Sequence, residues 1–373
     1  MFSIIINRSL QIMKIALIGH KGINGDGGGV EAHVRDLALS LAARGHAVTS
    51  YGASDKTGYF KEVRTIKVFT LPLKNLEAAL RTLSASLLTI FKHFDLIHIH
   101  SIGPGSFIPL FRLFNPRTPI IFTFHCQDYY HEKWGWFART YLRFGEWVAC
   151  RLADQIIAIA PELVPYIQEK YGRDATYIAN ATGQKEYHPV KEICERWGLQ
   201  KGSYILSVSR LVRHKGIHTL IEAYQGLATD KKLVIVGGSA YTDDYERELR
   251  VLAANHPNII FTGAQSGDIL AELYANAAVF VQPSRSEGLS IALLEAMSYS
   301  LPCVVSNITA NVQAAGEAGV SFVAGDAVDL REKLASTLAD QAGLDRLGSA
   351  AIERIAREYN LDTFIYKHEQ LYS

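Results

Sequence analysis

Two glutamates, Glu287 and Glu295, lie in the segment PSRSEGLSIALLEAMSYSLP (283–302). A strand ending at Gln282 runs into a loop, and Ser290 to Met297 then reads as a helix. The start of such a helix carries unpaired backbone N–H groups and the positive end of its dipole, a natural place for phosphate. Glu287 precedes the helix and Glu295 lies along it. Their separation at helical rise is about 10–12 Å, close to the span from a sugar ring across a diphosphate to a ribose. The plainer reading makes Glu287 a capping residue and Glu295 part of a solvated face. Two cations, Arg210 and Lys215, follow another strand, YILSVSR (204–210), and by themselves read as surface charges.

The loop GHKGINGDGGGVEAH (19–33) is a second candidate. Gly27, Gly28 and Gly29 permit close backbone approach and positive φ beside a helix N-terminus. A dinucleotide-binding reading competes, because Gly25-x-Gly27 follows a strand and precedes a helix. Its third small residue would be Val30, and its acid, Asp55, is poorly placed. His125, in Thr123-Phe124-His125, sits at the carboxyl end of a strand, where ligand-binding residues gather. A buried structural histidine is the alternative there. His98 and His100 alternate on one strand and face one side, with structural and functional readings both open. No carboxylate–histidine cluster has metal-ligand spacing, so no metal is expected.

Short apolar strands must position these residues. KIALIG (14–19), AVTSYG, DLIHIH, PIIFTFH, QIIAIA and ATYIAN form one series, and YILSVSR, KLVIVGG, NIIFTG, AAVFVQPS and PCVVSN a second. Strands alternating with helices imply parallel sheets covered on both faces. The polar stretch 183–202, punctuated by Gly and Pro, reads as the seam between two domains. A ligand cleft between facing α/β domains is expected at the carboxyl ends of their strands.

Composition excludes other classes. The chain has 373 residues, 48% hydrophobic and 20% charged, and a formal charge of +1, so nothing draws it globally to nucleic acid. Its four scattered cysteines (Cys126, Cys150, Cys194 and Cys303) include no C-x-x-C pair and fit a reducing compartment. Residues 1–12 read as an N-terminal extension rather than a signal peptide, and no apolar run is long enough for a membrane span. In HEKWGWFARTYLRFGEWVACRL (131–152), Trp134, Phe137, Tyr141, Phe144 and Val148 line one helical face. Core packing is the first reading of that face, and of KNLEAALRTLSASLLTIFKHF (74–94). An acceptor-binding or bilayer-facing surface is the second, and any membrane contact would be weak and peripheral.

With its surroundings, the E-x7-E segment resembles the retaining family 4 glycosyltransferases of the GT-B fold. SVSRLVRHKGIHTLIEAY (207–224) is similar to the stretch in which that family's Arg and Lys grip a donor diphosphate. GGGVEAHVRDLALSLAARGHAV, FDLIHIHS, TFHCQD and YIANATGQKEYHP follow in the family's order, so the likeness spans residues 13–373. The chain has EGLS for the family's EGFG, Asn180-Ala181 for NG, Ser300 for a Gly, and Ala310-Asn311-Val312-Gln313 for GxPE. These departures bear on the sugar and the acceptor.

The resemblance implies an acceptor-side Rossmann-like domain over 13–185, joined by a C-terminal helix 357–373, and a nucleotide-sugar domain over 186–356. It implies that Arg210 and Lys215 bind the diphosphate and that Glu295 binds the ribose. Glu287, with the backbone of Gly288, Leu289 and Ser290, would hold the transferred sugar and part of the phosphate. His125 would contact that sugar near the reaction centre, and Gly27, Gly28 and Gly29 would close over the donor. No cofactor is implied beyond the nucleotide-diphosphate sugar as co-substrate. The implied acceptor is a glycan or lipid-linked saccharide of the cell surface, and the expected location is cytoplasmic, at most peripheral at the inner face of the membrane. A sugar-nucleotide epimerase on the same fold and a catalytically silent nucleotide-sugar-binding protein stay open.

Overall fold

The computed structural model describes residues 12–24, 28–71, 77–130, 134–183, 185–239 and 242–372. Residues 1–11 of the extension 1–12, together with Gly25 and Gly27, lie outside the described residues. The chain divides into two compact units. Unit 1 comprises Met1–Ala158, Leu163–Thr176 and Leu371–Ser373, and unit 2 comprises Ile159–Glu162 and Tyr177–Gln370.

In unit 1 the apolar, β-branched runs become β1 (Lys14–Ile18), β2 (Ala47–Gly52), β5 (Leu96–His100), β6 (Ile120–Phe124) and β7 (Gln155–Ala158). Three short strands complete this set: β3 (Gly58–Phe60), β4 (Val63–Lys67) and β8 (Thr176–Tyr177). The sheet order is β3-β4-β2-β1-β5-β6-β7-β8, with β3 antiparallel to β4. Ile15, Leu17, Ile97, Ile99, Ile120 and Phe122 are buried, as strands covered on both faces require. Chain order reverses between β1 and β5, and ligands of open parallel sheets bind at such a reversal.

Unit 2 holds β9 (Tyr204–Val208), β10 (Lys232–Val236), β11 (Ile259–Gly263), β12 (Val279–Gln282), β13 (Cys303–Ser306) and β14 (Gly319–Phe322). All are parallel, in the order β11-β10-β9-β12-β13-β14, so the reversal falls between β9 and β12. Alternate residues feed two cores. Leu206, Val234, Phe280 and Met297 pack on one face, while Ile205, Leu233, Val279 and Leu220 pack on the other.

The core reading of the aromatic helix needs correction. In the helix Trp136–Leu152 the buried residues are Ala138, Leu142, Gly145, Glu146, Val148, Ala149 and Cys150, whereas Phe137 and Phe144 are exposed. Size explains the difference. A Cβ at Gly145 would stand 2.2 Å from the Ile102 carbonyl, and one at Gly105 would stand 2.6 Å from the Ala149 Cβ. Helix backbones meet there, so small residues face inward and the large rings turn out. Leu87, Leu88 and Phe91, at the end of the helix Glu77–Ile90, are likewise exposed. No helix among the described residues is long and apolar enough to cross a membrane.

Candidate active site

Unit 2 places its candidates at the carboxyl ends of β9 and β12, on either side of the order reversal. After β9 the chain passes Arg210 and makes a single 3-10 turn, Arg213–Lys215, ended by Gly216 at φ 70°. A Cβ at Gly216 would stand 2.1 Å from the Pro283 carbonyl oxygen, so only glycine lets this turn press against the loop after β12. That approach sets Lys215 beside Glu287, with Nζ 2.5 Å from Oε1 and both side chains largely buried. Gly216→Ala should therefore lower stability by about 1–3 kcal/mol and disturb the Lys215–Glu287 pair. Urea unfolding checks this, and an unchanged midpoint would show that the close approach is not required.

Glu287 Oε1 also accepts hydrogen bonds from Gln282 Nε2 at 2.7 Å and Ser284 Oγ at 2.6 Å. Burial pushes its pKa up, but the Lys215 charge and hydrogen bond, with the Ser284 hydroxyl, hold the carboxyl below its ordinary value. A depressed folded pKa contributes stability above the unfolded value, about 4.3, which is lost as pH falls through the folded value. The melting-temperature gap between wild type and Glu287→Gln should thus be flat from neutral pH to about 5 and change below about 4. A gap independent of pH throughout would show that the carboxylate charge makes no contribution.

Ser290 is the N-cap of the helix Ile291–Ser298: its Oγ accepts the Leu293 N–H at 3.3 Å and donates to Gln282 Oε1 at 3.2 Å. Gly288 and Leu289, half-buried, lead into this cap, and the Leu289 carbonyl accepts a hydrogen bond from Asn180 Nδ2 at 3.2 Å. Glu295 is half-buried and accepts a hydrogen bond from Tyr274 Oη at 3.2 Å, so it is not a freely solvated position. Arg210 is exposed and has no acidic partner among the described residues. A fixed carboxylate–ammonium pair, a capped helix N-terminus and a second cation thus share the carboxyl-terminal edge of the sheet, at its central strands β9 and β12.

A buried polar chain supports this edge. The Ser306 hydroxyl donates to the Ser284 carbonyl, and Asn311 Nδ2 donates to Ser306 Oγ at 2.8 Å. Gln282, Ser284, Ser306 and Asn311 are all buried; sequence reading singled out Asn311, as a departure from the family's GxPE, and missed the other three. A polar residue at the carboxyl end of an apolar strand, as at Gln282 and Ser306, is the signal that would have found them.

Unit 1 collects histidines at its own order reversal. His100 ends β5, His125 follows β6, and His33 lies on the helix Gly29–Ala43. All three are buried, and each brings a ring nitrogen within 4.8 Å of the others. His100 Nδ1 lies 3.3 Å from His125 Nε2, while His100 Nε2 is buried without a hydrogen-bond partner. Burial, and then the neighbouring imidazoles, push the His100 pKa well down, so this ring is neutral at pH 7. His98 is held on both sides, by Tyr372 Oη and Thr123 Oγ1 at 2.7 Å each, which favours its structural reading.

In the first loop, Gly28 is the extended N-cap of the helix and Gly29 its first residue, and neither has positive φ. Positive φ falls instead at Gly19, 106°, and Gly22, 152°. Asp55, the acid of the competing dinucleotide reading, is buried. Its Oδ1 accepts the N–H groups of Ile23 and Asn24 at 2.9 and 3.0 Å, which occupies it in anchoring the loop.

Residues 27–182 match Glycosyltransferase Family 4, and residues 190–354 match Glycosyl transferases group 1. The chain belongs to glycosyltransferase family 4. Among solved structures, this family 4 chain is similar to sucrose-phosphate synthase from Thermosynechococcus elongatus, with TM-score 0.83 and 25% identity over 96% of this chain and 98% of that one. It is also similar to Anabaena HepE in complex with UDP-glucose, with TM-score 0.79 and 20% identity over 96% and 99% of the two chains. The fold is therefore GT-B. A sulfoquinovosyl transferase of Arabidopsis thaliana is 30% identical over 173 residues, 44% of this chain. The match spans about a third of that relative's length (32%).

Proposed function

We propose that this family 4 glycosyltransferase moves a sugar from a nucleotide-diphosphate donor to a glycan or lipid-linked saccharide, with retention of anomeric configuration. The observation that carries this reading is the buried Lys215–Glu287 pair beside the capped helix Ile291–Ser298, at the order reversal of unit 2. In this reading Lys215 and Arg210 neutralise the diphosphate as the glycosidic bond breaks, where fixed positive charge matters most. The helix N-terminus adds backbone N–H groups to the phosphate. Glu295 binds the ribose, and Glu287 with Gly288, Leu289 and Ser290 holds the sugar. Of unit 1, His125, after β6, is assigned to that sugar, and Gly28 and Gly29 to the donor. The acceptor hydroxyl attacks from the face the diphosphate leaves, and the departing phosphate takes its proton. Double displacement would need two carboxylates about 5–5.5 Å apart at the sugar, a role the ribose assignment of Glu295 does not fill.

The UDP-glucose bound by HepE makes UDP-sugars the first donors to screen. Stabilisation by a nucleotide sugar in a thermal-shift screen, followed by transfer to an added saccharide, tests the reading. Donor turnover that ignores added acceptors would favour an epimerase. Cations and helix N–H groups replace a metal in this reading, so activity should survive excess EDTA. Loss of activity with EDTA and its recovery with Mg²⁺ or Mn²⁺ would overturn that part.

A further inference from the structure

We infer that His33, His100 and His125 of unit 1 form a binding site for one zinc ion. Zinc bound there inhibits the enzyme, because it takes the His125 imidazole away from the sugar. The binding stands on the histidine cluster alone, whereas the inhibition rests on the assignment of His125 proposed above.

The backbone fixes the three positions. β5 and β6 pair in parallel with His100 opposite Thr123, which brings His125 to the same end of the sheet. A Cβ at Gly19 would stand 2.2 Å from the His100 carbonyl oxygen, so the chain leaving β1 presses on this backbone as well. The His33 ring meets those of His125 and His100 at centroid distances of 4.8 and 5.4 Å, and each residue has a ring nitrogen within 4.8 Å of the others. A tetrahedral zinc at about 2.0–2.1 Å from its ligands spaces them about 3.3–3.4 Å apart. His100 Nδ1 and His125 Nε2 already stand at 3.3 Å, and a side-chain rotation of His33 completes the set. Little resists adjustment of His100, whose Nε2 is buried without a hydrogen-bond partner.

Ligand chemistry selects the ion. Three imidazole nitrogens suit zinc and its late first-row neighbours, whereas magnesium and calcium take oxygen. The ring of His98 lies 4.2 Å from that of His100, but Tyr372 Oη and Thr123 Oγ1 occupy its two nitrogens, so it is not a fourth ligand. Three protein ligands leave the fourth position to water. Such a site does not make the reaction metal-dependent. The transfer proposed above runs without zinc, and zinc here withdraws a side chain from it.

The test is calorimetric titration of the full chain, stripped of metal, with Zn²⁺. One zinc should bind per chain, and excess Mg²⁺ should not displace it. His33→Gln should weaken zinc by more than about 100-fold, beyond the loss that follows from removing a group that merely supports a ligand. Cobalt needs no variant: wild type loaded with Co²⁺ should show the intense visible bands of a tetrahedral site. Turnover, each protein relative to its own zinc-free rate, should fall in wild type on adding Zn²⁺ and recover with EDTA, and should be insensitive to the same Zn²⁺ in His33→Gln. No zinc binding, binding that a folded His33→Gln leaves unchanged, or the weak bands of octahedral Co²⁺ would each overturn the proposal. Zinc bound through the cluster without slowing turnover would uphold the site and contradict the assignment of His125 to the sugar instead.

Discussion

Lys215→Ala should lower kcat by about 10²–10³, the effect of removing one fixed charge from a developing anion, and should weaken nucleoside diphosphate binding as well. The pair with Glu287 gives the same change a second consequence. Both side chains are largely buried, so losing the ammonium leaves a carboxylate without its counter-charge, a change that costs about 3–5 kcal/mol when burial is complete. A fall in activity could then reflect a loosened site rather than a lost grip. Adding Glu287→Gln separates the two. The neutral amide needs no cation, so stability should recover in the double variant, while nucleoside diphosphate affinity should stay low. Recovery of both would make Lys215 a support for Glu287 and remove it from the diphosphate.

The strands that position these residues were legible because parallel strands buried on both faces read as short apolar runs, as in KIALI and KLVIV. Edge strands were not legible. Tyr59 in β3 is exposed, Arg64 and Lys67 interrupt β4, and β14 is only partly buried. ATYIAN shrinks to Thr176–Tyr177. The glutamates and Lys215 were visible as a motif, with Ser290 read as the first residue of the helix rather than its cap, but the Lys215–Glu287 pair was not. It joins residues far apart in sequence through one glycine contact, Gly216 against Pro283. The histidine cluster was hidden for the same reason, being assembled from the helix Gly29–Ala43, β5 and the residue after β6. Ring size misled the reading of Trp136–Leu152, where close backbone packing at Gly145 and Ala149 reserves the inside for small residues. Ser300 shows how a departure from the family is accommodated. It adopts φ 61°, a conformation that favours glycine, while its hydroxyl donates to the Gly348 carbonyl at 2.9 Å.

Glu287 and Glu295 should divide the donor between them. Glu295 is assigned to the ribose, which the reaction leaves unchanged, so Glu295→Gln should weaken the free nucleotide and the whole donor alike. A hydrogen bond to a charged group is worth about 1.5–3 kcal/mol, or roughly 10- to 150-fold in affinity. Tyr274 Oη, now bonded to Glu295, also lies 3.3 Å from the Ala292 carbonyl and can donate there when the carboxylate is lost. Glu287 is assigned to the sugar beside the breaking bond. In Glu287→Gln the new amide would keep an oxygen for Gln282 and Ser284 and would release Lys215 to the phosphates. This change should therefore slow kcat without weakening the nucleotide.

Isothermal titration of both variants with UDP, or with the nucleoside diphosphate of whichever donor the screen identifies, addresses the donor site directly. Expected is a loss of at least about tenfold in affinity for Glu295→Gln, with Glu287→Gln binding as tightly as wild type or tighter. Equal weakening in the two variants, or no change in Glu295→Gln, would contradict a donor held by its ribose at one glutamate and by its sugar at the other.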